Sequence, residues 1–424
     1  MRKFFQLVLA GLSRRIIKKR RPKIIAITGS VGKTSTKEAV FLVVSQKFKA
    51  RKSEKNFNTE FGVPFTIIGV GDPGRNIFKW LWILLKAVGL ILLPLGYPEF
   101  LVLELGVEFP GDMTTLMGIV HPNVGIITSI GISHYEFFKD QAAIAAEKAK
   151  LAEVLEANDT LSLNADDPGA LSVKGKTAAK VMTYGVGPEA EVKATDIVDQ
   201  LGEAKYRTSL TVSRGNEVVK VSFSAIGKPH VQAIICGVAA GFILGVEKDL
   251  IELGLAGYKP AQGRLNIFAG FKHSTIIDDT YNAAPDSMRV ALELLGRLTA
   301  KIKIAVLGDM LELGSISDEE HKKVGEFAGG LGLDRLITIG GQGRIIAAAA
   351  IAAGMPQDCV SSFDSPDEAM ESVKSYIDPE VLILLKGSQG MRLEKITKEI
   401  MAEPMRASEL LPRQYGKWLE SKPS

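Results

Sequence analysis

Lys33 and Thr34 close a short glycine loop, Thr28-Gly29-Ser30-Val31-Gly32-Lys33-Thr34-Ser35, that lies between an apolar run and a helical pattern. In such a loop the backbone N–H groups and the N-terminus of the following helix wrap an anion. Gly29 and Gly32 let the main chain approach a phosphate, with Ser30, Val31 and Ser35 completing the cradle. Lys33 is placed for the outer phosphates and the Thr34 hydroxyl for a magnesium ion. The commoner form of the loop has another glycine where this chain has Ile27, so this is a variant. A loop of this kind can serve nucleotide hydrolysis, phosphorylation of a substrate or activation of a carboxylate. Its own residues do not choose among them.

Other candidates lie further along the chain. The run "FLVLELGVEFPGD" brings Glu104 to the end of an apolar strand, where open α/β sheets place their ligands, and a carboxylate there can bind magnesium. His134 follows the strand-like "VGIITSI". Lys148 shares a helical stripe with Ile144, Leu151 and Leu155. A lysine on a buried stripe must lose its charge, find a partner or snorkel. Once neutral, its amine can capture carbon dioxide as a carbamate, an anionic metal ligand. In "IIDDTYNAAPDSM", Asp279 and Asn282 stand between a strand end and a proline-started helix. With Arg264 in "QGRLNIF" they suggest a nucleotide closed between two domains.

Short apolar runs at 24–28, 101–105, 124–128 and 160–163 read as strands, with helical patterns at 34–46, 112–120 and 139–157. This rhythm predicts an α/β fold with a doubly wound, mostly parallel sheet. The runs "YRTSLTVS" and "EVVKVSFSA" flank "RGN" as a hairpin at its antiparallel margin. A second series, "STIID", "KIKIAVLG", "RLITIG" and "VLILLKG", alternates with helical patterns at 285–298, 317–328, 342–352 and 391–402. It predicts a second doubly wound unit beyond the hinge "GYKPAQG". The expected division is a basic leader at 1–22, a central domain at 23–258 with an apolar insertion at 76–97, and a C-terminal domain at 259–424.

The formal net charge of +4 conceals an asymmetry, since residues 1–23 carry nine basic side chains and no acid, leaving about −5 for the remainder. The leader has no small-x-small cleavage site, and Phe5, Leu9, Leu12 and Ile16 repeat at helical spacing. An interfacial helix on anionic lipid and a solvated basic tail both fit. The stretch from Asn76 to Tyr97 is apolar but short for a span and contains Lys79 and Lys86, which favours a helix lying in the interface over a buried core helix. Nothing points to nucleic acid, because the basic run lacks interleaved aromatics and a binding module. Two distant cysteines, Cys236 and Cys359, fit a reducing, cytoplasmic setting, at the inner face of the membrane if the apolar segments touch it.

The runs "TGSVGKTSTKE", "NFNTEFGVP", "LELGVEFPGD", "LNADD", "DDTYNAAPDSM", "VLGDMLELG" and "LLKGSQGM" occur in an order that resembles the Mur ligases, from about Ile24 to Lys395. The resemblance implies a central P-loop ATPase-type domain and a C-terminal Rossmann-like domain. It implies an ATP-dependent ligase of peptidoglycan precursor synthesis that adds D-alanyl-D-alanine to a muramoyl-tripeptide acyl substrate through an acyl phosphate. Lys33, Thr34, Glu104, His134 and Lys148, the last as a carbamate, would then serve phosphates and two magnesium ions. Arg264 would reach the γ-phosphate, Asp279 and Asn282 the nucleotide, Asn58 and Thr59 the acyl substrate, and Lys386 and Ser388 the incoming amine.

Two departures from the family pattern shape further expectations. Only 27 residues precede Thr28, where relatives carry a uridine-diphosphate-binding domain; a lipid-linked acyl substrate or a partner chain would compensate. The adenine-contacting asparagines of the family are replaced in "GKPHVQAIICGVAA", where His230 and Gln232 stand. A folylpolyglutamate-synthase-like ligase and a nucleotide-binding scaffold are the alternatives.

Overall fold

A computed structural model describes residues 2–54, 57–202 and 205–419. Met1 of the leader and 420–424 of the expected C-terminal domain lie outside the described residues, as does Asn56 of the "NFNTEFGVP" run. The chain forms an α/β fold around two sheets. The first contains β1 (Lys23–Thr28), β2 (Ala50–Lys52), β3 (Phe100–Glu104), β4 (Val124–Ile127) and β5 (Thr160–Asn164). It continues through β6 (Lys180–Gly185), β7 (Val192–Gly202), β8 (Lys205–Arg214) and β9 (Glu217–Phe223), in the order β2-β3-β1-β4-β5-β6-β7-β8-β9. Pairing is parallel from β2 as far as β7 and antiparallel beyond it.

Alternation along β1 explains why helices cover both faces. Ile24 and Ala26 join one core with residues of α1 (Arg2–Arg20), α3 (Gly62–Ile68), α4 (Ile77–Leu92), α5 (Asp112–Met117) and α6 (Gln141–Glu153). Ile25 and Ile27 join the other with α2 (Lys33–Lys47) and the helices Lys228–Leu244 and Lys248–Ala256. A strand buried on both faces is a continuous apolar run, as β1 and β3 are.

The second sheet holds β10 (Asn266–Ala269), β11 (Thr275–Asp279), β12 (Ile302–Gly308), β13 (Arg335–Ile339), β14 (Val360–Phe363) and β15 (Val381–Lys386). Their order is β10-β11-β15-β12-β13-β14, with only β10 antiparallel to its neighbour. β15 therefore lies between β11 and β12, and its register sets Lys386 directly beside Asp279. The expected hairpin is β8 and β9, turning at Gly215 with φ 56°. The segment 257–263 is irregular and links the two units.

In the 76–97 stretch, α4 buries Ile83, Ala87 and Leu90 as a core helix would and exposes its opposite side. Among the described residues no helix is long and apolar enough to cross a membrane.

Candidate functional site

The glycine loop follows the carboxyl end of β1 and opens α2, whose first residue is Lys33. Gly29 has φ 150° and Gly32 φ 86°, and a Cβ on Gly29 would fall 2.1 Å from Thr128 Oγ1 and 3.0 Å from the Ser129 amide. The Thr128 hydroxyl donates to the Val31 carbonyl at 2.6 Å and so braces the loop from β4. Only glycine fits there without moving that brace. Gly29→Ala is expected to weaken ADP binding more than ~tenfold, about 1.4 kcal/mol, by titration calorimetry. Unchanged affinity would show that the loop does not cradle phosphate.

Lys33 Nζ folds back to donate to the carbonyls of Gly29 at 2.6 Å and Ser30 at 3.4 Å. Burial lowers its pKa, with Glu104 opposing that shift and Arg264 adding to it. Thr34 Oγ1 donates to Glu104 Oε1 at 3.3 Å, and Asn58 Nδ2 donates to the same oxygen at 3.2 Å. Glu104 Oε2 accepts no hydrogen bond and faces Lys37 Nζ at 3.4 Å. Ile27 pairs with Glu104 across β1 and β3, so loop and carboxylate share one end of the sheet. A membrane between them is thereby excluded. Thr59 lies further back and steadies the start of α3, its Oγ1 accepting from the Gly62 amide at 3.4 Å.

Lys148 is 1% exposed on the same inward stripe of α6 as Ile144 and Leu151; the helix ends at Glu153, so Leu155 is buried just beyond it. Burial brings its amine down to about 7; the nearby Lys33 charge adds to that, and Glu147 opposes it. Glu147 itself accepts from the Met113 amide at 2.9 Å and from Lys150 at 2.6 Å.

One cleft runs between the two units. Ser30, Lys33, Thr34 and His134 line one wall; Arg264, Asp279, Asn282 and Lys386 line the other. Lys386 Nζ is paired with Asp279 Oδ2 at 2.7 Å and donates to the Asn282 carbonyl at 2.8 Å, almost wholly buried. The Arg264 guanidinium stacks 4.2 Å from the Tyr281 ring centroid. Ser388 donates from its backbone N–H to the Asp309 carbonyl at 3.0 Å and accepts at Oγ from the Leu311 amide at 2.8 Å, beneath the cleft rather than in its wall. His134 Nδ1 meets Glu312 Oε2 across the two units. Among the described residues no cluster of three His, Cys, Asp or Glu side chains forms a ready-made metal cage.

Behind the loop lies a second cleft containing Asn164, Asp166, Lys228 and Gln232 beside Val31 and Gly32. Gln232 Nε2 donates to Asp166 Oδ2, while Gln232 Oε1 is buried without a hydrogen-bond partner. His230 is 1% exposed; its Nδ1 lies 2.9 Å from the Tyr258 hydroxyl, and burial pulls it down to about 4, so the imidazole is neutral.

Some contributors had no separate signal in the sequence. Lys37 stands one helical turn beyond Lys33 and reaches Glu104. Glu312 belongs to the "GDMLELG" run, yet its contact with His134 depends on docking of the units. Arg413 is buried, ion-paired with Glu394 at 2.9 Å, and donates to the Tyr281 carbonyl at 2.9 Å and to that of Thr280, fixing the loop after β11.

Fold and site together define a phosphate-handling protein whose loop faces a second α/β unit across a charged cleft. The chain matches the Mur ligase middle domain over residues 90–241 and the Mur ligase, glutamate ligase domain over 263–389. It belongs to the Mur ligase family. It is 28% identical over 398 residues to the UDP-N-acetylmuramoyl-tripeptide–D-alanyl-D-alanine ligase of Bacillus subtilis (strain 168), covering 94% of this chain and 80% of the relative. Identity to the ligase of the same name from Escherichia coli (strain K12) is 26% over 383 residues, 89% of this chain and 76% of the relative. The crystal structure of MurF from Acinetobacter baumannii superposes with a TM-score of 0.77 at 26% identity, over 93% of this chain and 80% of that one. A Mycobacterium tuberculosis folylpolyglutamate synthase complexed with ADP and AMPPCP shares the fold at a TM-score of 0.64 and 16% identity, over 90% of this chain and 92% of that one.

Proposed function

We propose that the chain is an ATP-dependent ligase that joins D-alanyl-D-alanine to a muramoyl-tripeptide-type acyl substrate in peptidoglycan precursor synthesis. The observation that carries this reading is the placement of Lys33, Thr34 and Glu104 opposite Arg264, Asp279 and Lys386 in one cleft. The named ligases similar to this chain support the substrates.

In the reaction proposed, a carboxylate oxygen of the acyl substrate attacks the γ-phosphorus of ATP, and the bond to the ADP oxygen breaks. The amine of the dipeptide then attacks the acyl carbon, loses a proton, and phosphate leaves with the former carboxylate oxygen. Lys33 and Arg264 are the cations positioned to hold the transferred phosphoryl group. Asn58, beside Glu104, and the neighbouring Thr59 are assigned to the acyl side. Asp279, Asn282, Lys386 and Ser388 are assigned to the nucleotide and amine sides. Gln232, with its buried unpartnered oxygen, is assigned to the base.

Thr34 and Glu104 fit magnesium, which takes oxygen donors and needs few protein ligands beside phosphates. The ion would neutralise phosphate charge and polarise the phosphoryl oxygens. Lys148 fits a carbamate, being buried and lowered to about 7, its Nζ making neither a hydrogen bond nor an ion pair among the described residues. For the second ion, Glu104, His134 and that carbamate are the proposed donors, His134 keeping Nε2 free of its Glu312 contact. Residues 1–23 and 76–97 are proposed to touch the inner face of a membrane.

Phosphate release in magnesium and ATP, with each acceptor omitted in turn and products weighed, tests the reading. Release that requires both the muramoyl-tripeptide nucleotide and D-alanyl-D-alanine, with a product one dipeptide heavier, is the expected result. Release that ignores either substrate would contradict it.

A further inference from the structure

Apart from Lys79 and Lys86, α4 carries only apolar side chains and glycine, but only one side of it is covered. Ile77, Phe78, Leu81, Trp82, Leu85 and Leu92 are between 55% and 79% exposed. At 3.6 residues per turn these six occupy one sector of roughly 140°, opposite buried Ile83, Ala87 and Leu90. α1 runs beside α4 in the same direction. Near both N-termini, the Phe5 and Trp80 rings pack with centroids 4.9 Å apart. Near both C-termini, Arg20 donates to the Leu90 carbonyl at 2.8 Å and to that of Leu93. Phe4 and Leu7, 66% and 71% exposed, widen the apolar face at its N-terminal end.

The charge pattern completes the surface. Arg15, Lys18, Lys19 and Arg21 stand exposed at the C-terminal end of α1, and Lys79 stands exposed at the margin of α4. The first 23 residues contain no acid, and between 61 and 98 the one acid is Asp72. Of the 23 large hydrophobic side chains exposed among the described residues, eleven lie on α1, α4 and the 93–95 segment. Concentration on that scale marks an interaction surface rather than scattered surface apolarity.

We infer that the α1–α4 pair is an in-plane anchor for an anionic lipid bilayer. The apolar sector of α4 with Phe4 and Leu7 enters the acyl-chain boundary, and the basic end of α1 meets headgroup phosphates. A large apolar face bordered by uncompensated cations complements anionic lipid on both counts. Neither helix is long and apolar enough to cross, so the pair lies in the surface.

The anchor also has a fixed relation to the site. Lys86 of α4 donates to the Gly69 carbonyl at the end of α3 with Nζ at 2.6 Å. Just before the other end of α3 stands Asn58, hydrogen-bonded to Glu104. One seven-residue helix thus separates α4 from the acyl side of the cleft. An acyl substrate carried on a lipid would reach that side without leaving the interface. This last consequence rests on the ligase reading; the anchor does not.

Flotation of the full chain with phosphatidylcholine vesicles, with and without a quarter phosphatidylglycerol, tests the anchor without nucleotide or substrate. Its failure therefore leaves the ligase reading intact. Wild type is expected to float with the anionic vesicles, to lose binding as salt rises, and to show Trp fluorescence quenched by brominated acyl chains. Trp82→Phe should remove much of that quenching. Leu85→Glu should cut vesicle binding more than ~tenfold with ADP affinity unchanged. Arg15→Gln/Lys18→Gln/Lys19→Gln should cut it roughly a hundredfold. Wild type that stays unbound to anionic vesicles would overturn the inference. So would a dimer in sedimentation that Leu85→Glu dissolves while vesicles are ignored, which would assign the face to a second copy of the chain.

Discussion

Replacing Lys148 by alanine is expected to lower ligase turnover by roughly 10²–10³-fold, the scale of removing one preorganised electrostatic group from a phosphoryl-transfer site. Formate or acetate should restore part of it. α6 turns Ile144, Lys148 and Leu151 inward, so the amine loses its hydration. Burial and the nearby Lys33 charge bring it down to about 7, and Glu147 offsets this only in part. A neutral amine combines with carbon dioxide and releases a proton, leaving an anionic carbamate. A small carboxylate diffusing into the space vacated in the alanine variant can replace that anion. Full activity of Lys148→Ala without added carboxylate would sink the assignment.

Lys148 also makes the stability of the fold depend on pH. The unmodified folded state holds the amine at about 7, against the ordinary 10.5. Between those values the unfolded chain binds more protons, so stability rises with pH across that window. The penalty is full below about 7 and gone above the ordinary value. Lys148→Met should therefore gain stability over unmodified wild type in urea denaturation at pH 6, with the gain shrinking towards pH 10. A gain that grows with pH would contradict the linkage.

Asp279→Ala should be the most destabilising single change at the cleft. Asp279 and Lys386 are adjacent in the β11–β15 register, paired at 2.7 Å and almost wholly buried. Removing the acid leaves a buried ammonium without its ion-pair partner, which typically costs about 3–5 kcal/mol. Burial already pulls Lys386 below the ordinary lysine range, and Asp279 is the largest influence opposing that shift. Asp279→Ala/Lys386→Met should recover most of the lost stability, because it removes both charges together. Urea midpoints for the single and double variants decide it. A double variant as unstable as the single one would mean that the pair's energetics are not the cause.

The parts legible in the sequence were those governed by local pattern. β1 and β3 read as strands because both faces are buried and the apolar run is continuous. The β8–β9 hairpin showed through its alternation and Gly215. β7 was missed because its pattern breaks where the register shifts between Thr195 and Val198, with Asp196 at φ 51°. Lys148 was legible because a lysine on an apolar stripe is a local anomaly. Lys37 was not, since a lysine in "KTSTKE" reads as solvated until Glu104 arrives from β3. Glu312 and Arg413 act only after distant segments pack against His134 and the loop following β11.

The central claim, that the loop moves a phosphoryl group onto a carboxylate, has a direct test in isotope transfer. The acyl substrate is supplied with ¹⁸O in its reacting carboxylate, together with ATP and D-alanyl-D-alanine, and the released phosphate is weighed. An acyl phosphate opened by the amine predicts one ¹⁸O in each phosphate formed. Phosphate whose fourth oxygen comes from the solvent, with the label retained in the acyl substrate, would contradict the account.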